Sequence, residues 1–119
     1  MPLFTDYDNQ LKLLAFTVTG RFDYWLYDAF YDACDSAAEI TDVAVDLHQT
    51  DYFDSSALGI LLMVREQVGS NVSITLHNPS PIVLQTLQTA NFDKIFLIST
   101  GGMPQHTSLP ADQSATTPV

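Results

Sequence analysis

Residues 3–7 and 11–19 are strand-like runs of apolar and β-branched residues, and Asp8-Asn9-Gln10 between them has the chemistry of a turn. This pattern predicts an antiparallel hairpin. In the second run Leu14, Phe16 and Val18 alternate with Leu13, Ala15 and Thr17, so both faces of that strand can be covered. Gly20 breaks the run, and Arg21-Phe22-Asp23 reads as a loop leading into a helix that Asp23 caps. Across residues 24–38, Leu26, Ala29, Phe30, Ala33 and Ala37 recur at helical spacing, with Asp28, Asp32 and Asp35 elsewhere on the cylinder.

Residues 43–47, 72–76 and 95–98 read as three short strands. A helix over residues 56–68 carries Leu58, Leu61, Leu62 and Arg65 and stops at Gly69. Another opens with Ser80 as cap and Pro81 in the first turn, then runs through Ile82, Leu84, Leu87 and Ala90. The predicted order is β-β-α-β-α-β-α-β. That order implies an α/β fold whose mixed sheet starts with an antiparallel hairpin, continues through parallel crossovers and carries helices packed on it.

A length of 119 residues with 46% hydrophobic content suits one domain with one core. Residues 1–98 are expected to form it. Residues 99–119 are rich in Ser, Thr, Pro, Gly and Gln and read as a polar, flexible C-terminal tail. Cys34 has no cysteine to pair with, and the opening residues lack the basic region and apolar run of a secretory signal, so a cytoplasmic location is expected. Every hydrophobic run is interrupted well short of the roughly 20 residues that span a bilayer, which argues against membrane insertion.

Four Lys+Arg against fourteen Asp+Glu give a formal charge of -10. Such a charge repels phosphate backbones and anionic lipid headgroups, so no direct nucleic-acid partner is expected. It suits a protein partner with a basic patch, although acidity also serves solubility alone. His48, His77 and His106 are scattered, and neither a phosphate-cradling Gly-Lys loop nor a dinucleotide-binding glycine turn is present. No metal or cofactor is expected.

The most informative stretch is Asp51-Tyr52-Phe53-Asp54-Ser55-Ser56-Ala57-Leu58-Gly59, which follows a strand and opens a helix. Free backbone N–H groups and the positive end of the helix dipole converge there, and a phosphate is favoured by roughly 0.3 to 1 kcal/mol, ~2 if partly buried. Taken alone, Asp54, Ser55 and Ser56 are better explained as helix caps. However, Asp54-Ser55-Ser56-Ala57-Leu58-Gly59 is similar to the Asp-Ser-Ser-Gly-Leu-Gly signature of bacterial anti-sigma factor antagonists, which are STAS domains. Thr19-Gly20-Arg21-Phe22-Asp23 resembles the family's Gly-x-hydrophobic-Asp loop. The stretch from Pro79 to Phe96 is similar to its closing helix, loop and strand, so the resemblance spans about residues 3–98.

The resemblance implies a single STAS domain and a non-enzymatic switch. Ser55 matches the phosphoacceptor, and Ser56 matches a capping or hydrogen-bonding neighbour. Asp23, Asp51, Asp54, Tyr52, Ala57, Leu58 and Gly59 then form the phosphosite environment and partner-binding surface. The implied partners are an anti-sigma factor that is itself a serine kinase and a PP2C-type serine phosphatase, with a downstream signalling enzyme as a further partner. STAS domains also serve as adaptors and as accessory subunits of transporters. Two departures stand out. Ala57 replaces the family's glycine and adds a methyl expected to narrow access to the acceptor turn, and residues 99–119 lack the pattern of the family's final helix.

Two further readings come from the residues themselves. Tyr24, Trp25, Tyr27, Asp28 and Tyr31 make an aromatic sector, either a second protein-binding face or half-buried tyrosines beside a core. Ser55, His48 and Asp51 supply the residue types of a hydrolase but lack a Gly-x-Ser-x-Gly elbow, which argues against catalysis.

Overall fold

Alternation in the N-terminal hairpin sets the sheet's two faces. In the computed structural model, which describes residues 2–100, β1 (Leu3–Asp8) pairs antiparallel with β2 (Leu13–Val18) in the register Leu3↔Val18 to Asp8↔Leu13. The Asp8 carboxylate holds the turn by accepting from the backbone N–H groups of Gln10 and Leu11. Leu14, Phe16 and Val18 are buried, whereas Leu13, Ala15 and Thr17 on the other face are half-buried.

Three parallel strands extend the sheet from β2. They are β4 (Asp42–Asp46), β6 (Ser73–His77) and β7 (Leu97–Ser99), giving the order β1-β2-β4-β6-β7. The mixed sheet with its antiparallel start is the one expected. The helices are α1 (Tyr27–Ser36), α2 (Ser55–Val68) and α3 (Pro81–Thr89). Their inward residues, including Phe30, Ile60, Leu61, Val64, Val83 and Leu87, join Phe16, Val45, Ile74 and Leu76 of the sheet in one core. Phe30 is stacked against Phe16 at 4.3 Å and Phe22 at 5.3 Å between ring centroids, tying α1 to the sheet. Cys34 is buried in the same core, and burial pushes its thiol up to about 11.

The structure corrects several expectations. Residues 21–23 are not simply a loop, since Gly20–Phe22 forms β3, which pairs parallel with β5 (Thr50–Phe53) in a separate two-stranded sheet. Gly20 makes the turn into β3 with φ +79°, a conformation that side chains disfavour. Asp23 does act as a cap, but of a 3-10 turn over Tyr24–Leu26 that leads into α1. Ile95 is not in a strand; it closes the 3-10 turn Phe92–Lys94, and β7 begins two residues later. Ser99 belongs to β7 rather than to the tail. Residues 101–119, which hold most of that tail and the departure from the family's final helix, lie outside the described residues.

Candidate functional site

The parallel ladder of β3 and β5 brings two helix starts together. Its register is Arg21↔Tyr52 and Phe22↔Phe53, so the next residues in line are Asp23 and Asp54, and each caps the helical segment after it. Asp23 accepts from the Trp25 N–H. Asp54 accepts from the N–H groups of Ser56 at 3.0 Å and Ala57 at 3.2 Å. Phe22 and Phe53 anchor the ladder underneath through an edge-to-face contact at 5.4 Å.

Asp54 is the hub of the polar surface. Oδ1 also accepts from the Ser56 hydroxyl at 2.5 Å, and Oδ2 accepts from the Tyr52 hydroxyl at 3.1 Å. These bonds favour the ionised carboxylate. The Ser56 hydroxyl contributes most, followed by the Ala57 N–H, the Tyr52 hydroxyl and the Ser56 N–H, and together they hold Asp54 below the usual carboxylate range. Across the ladder, Arg21 Nε donates to Asp23 Oδ2 at 3.0 Å, and the guanidinium lies 3.8 Å from the centre of the Tyr52 ring. The Asp23 pair raises the arginine's already high pKa further. Asp23, Arg21, Tyr52, Asp54 and Ser56 therefore form one connected chain of contacts.

Ser55 is the first residue of α2, directly after the capping Asp54, and is exposed. Among the described residues, no hydrogen bond holds its hydroxyl. The two serines thus differ, with Ser56 engaged in the cap and Ser55 left open. The Ser56 and Ala57 amides of this helix start already donate to Asp54.

The other expected site residues fall in different places. Asp51 precedes Tyr52 in β5, is exposed, and lines a cleft of about 160 Å³ together with Tyr52, Phe53, Ile82, Val83 and Thr86. Among the described residues no side-chain hydrogen bond ties it to the chain of contacts from Asp23 to Ser56. Ala57 is fully buried, so its methyl packs in the core and does not narrow access to Ser55. Leu58 packs partly on the core and also borders a groove of about 370 Å³ formed with Gln85, Thr86 and Thr89 of α3 and with Ala90 just after it. Gly59 is exposed, and a Cβ built there would meet nothing within 4 Å, so internal packing does not require the glycine.

His48 sits in the turn after β4, where its backbone N–H donates to Asp46, and it makes no hydrogen bond to Ser55 among the described residues. Within those residues no three His, Cys, Asp or Glu side chains are grouped to hold a metal, and no helix is long and apolar enough to cross a membrane. Sequence reasoning gave no role to Arg21. The available signal was its place as one of only four Lys+Arg in an acidic chain, two residues before a capping aspartate.

Comparison with known proteins gives the family and the fold. The family model described as Mlab, STAS domain, matches residues 6–99. A STAS-domain containing protein of Pseudomonas aeruginosa (strain UCBPP-PA14) is 43% identical over 89 residues, covering 72% of this chain and 87% of the relative. An anti-sigma factor antagonist (STAS) domain protein from Planctomyces limnophilus superposes with a TM-score of 0.70 at 16% identity, covering 84% of this chain and 91% of that one. The Bacillus cell fate determinant SpoIIAA in its phosphorylated form gives a TM-score of 0.61 at 16% identity, covering 81% and 89% respectively. The solved structures share the fold, the family model spans almost all the described residues, and the chain belongs to the STAS domain family.

Proposed function

We propose that this chain is an anti-sigma factor antagonist whose partner binding is controlled by phosphorylation of Ser55. The unmodified form binds an anti-sigma factor that is also a serine kinase; transfer of a phosphoryl group to the Ser55 hydroxyl weakens that complex, and a PP2C-type phosphatase restores it. The observation that carries this reading is the exposed Ser55 hydroxyl at the start of α2, beside a cap already satisfied by Asp54. A phosphate adds about -1.5 to -2 charges at that point. Next to the ionised Asp54, this charge opposes any acidic or apolar docking surface. Leu58, Gly59 and the groove between α2 and α3 supply the adjoining contact area.

A second reading, a STAS adaptor or accessory subunit of another signalling complex or a transporter, is equally consistent with membership of the STAS domain family. Copurification from the native host with wild-type, Ser55→Ala and Ser55→Asp chains separates the two. The switch predicts a serine kinase retained by wild type and Ser55→Ala and lost by Ser55→Asp. Recovery of a transporter ATPase equally with all three chains supports the accessory role and contradicts the switch.

A further inference from the structure

We infer that the outward face of α1 and its preceding turn docks an arginine-bearing segment of another protein. Trp25 is 75% exposed, Tyr24 59%, Tyr27 44% and Tyr31 39%, and the rings of Tyr24 and Trp25 stack at 4.7 Å. The opposite side of the same segment buries Leu26, Phe30 and Cys34, so core packing does not account for these four aromatic residues. Large aromatics clustered in water are typical of binding hot spots. Their spacing places Tyr24, Tyr27 and Tyr31 along one side of the helix, with Asp28, Asp32 and Asp35 adjoining.

The three aspartates are exposed and repeat at intervals of four and three residues, a like-charge arrangement that disfavours the helix. No basic residue lies in the last turn, and none of the three is ion-paired among the described residues. The chain already shows which cation suits such a surface, since Arg21 lies over the Tyr52 ring while pairing with Asp23. Tyrosine with a neighbouring aspartate is the same receptor chemistry that α1 displays without an occupant. Arginine fits it better than lysine because the planar guanidinium can stack and pair at once.

The occupant is neither this chain nor a second copy. The four Lys+Arg are all engaged: Lys12 with Glu39, Arg21 with Asp23, Arg65 with the carbonyls of Gly69 and Val72, and Lys94 with Asp93. Residues 101–119 contain no Lys or Arg, and two copies each at -10 repel one another. A foreign basic segment is the remaining source of the cation.

Trp25 is the single tryptophan, so its emission reports directly on this face. The full-length chain is titrated with an amphipathic peptide bearing arginine at every third or fourth position, and with its lysine and glutamine counterparts. Binding of the arginine peptide should perturb Trp25 emission and shift backbone NMR signals over residues 24–35. It should be several-fold tighter than the lysine peptide and weaken at least tenfold in Asp28→Asn/Asp32→Asn/Asp35→Asn. The charge-matched Asp6→Asn/Asp42→Asn/Glu66→Gln should bind as wild type, and so should Ser55→Asp, which keeps this test independent of the switch. Equal loss in both triple variants, equal affinity for arginine and lysine peptides, or shifts outside α1 would overturn the proposal.

Discussion

At the residue scale the site turns on Asp54, which caps α2 and orients both Tyr52 and Ser56. Replacing it with alanine should lower stability by about 1 to 2 kcal/mol, read as a lower urea midpoint, as for other lost N-caps. Its carboxyl titrates below the ordinary value in the fold, so its ionisation stabilises the folded state above about pH 4. That contribution is lost as pH falls through the depressed folded value. Asp54→Asn should therefore differ most from wild type at neutral pH and converge with it in acid; a gap independent of pH would contradict the assignment. That α2 is capped at residues 54–56 was legible because Asp and Ser are favoured caps before an apolar helical pattern, though which of the three does the capping was not. Arg21 was not, because its role depends on a ladder between strands distant in sequence.

At the element scale, the two glycines near the site should respond in opposite directions. Gly59 is helical with open space beside it, so Gly59→Ala should stabilise the chain by roughly 0.8 to 1 kcal/mol. Gly20 also has open space, but its positive φ should make Gly20→Ala destabilising by about 1 to 2 kcal/mol. Denaturant midpoints of the two variants check both signs; a stabilising Gly20→Ala would mean that the turn into β3 relaxes freely. The main-sheet strands and the helices could be read from periodicity and caps, to within a few residues at their ends. β3 and β5 could not, since three or four residues carry no alternation and each strand is made stable by the other. Ile95 misled for a related reason: the apolar run of residues 95–98 does not reveal that its first residue still closes a 3-10 turn.

At the scale of the whole molecule, the Phe16–Phe30–Phe22 stack connects α1, the main sheet and the small ladder that carries the site. Phe30→Ala should cost about 3 to 5 kcal/mol, a large share of the roughly 5 to 15 kcal/mol that stabilises a typical domain. Thermal unfolding by circular dichroism would show it; a shift of only a degree or two would contradict a core centred on Phe30. The acidity read from composition takes on spatial meaning only in the fold. Asp23 is neutralised by Arg21, Asp54 is committed to its cap, Asp51 faces α3, and the aspartates of α1 remain uncompensated.

The most direct test of the Ser55 switch is site-resolved phosphate occupancy, measured by fragment mass spectrometry on the chain isolated from its native host under several growth conditions. Phosphate on Ser55 should vary with condition and disappear in Ser55→Ala, with Ser56 unmodified. Phosphate confined to Ser56, or none under any condition, would contradict the switch.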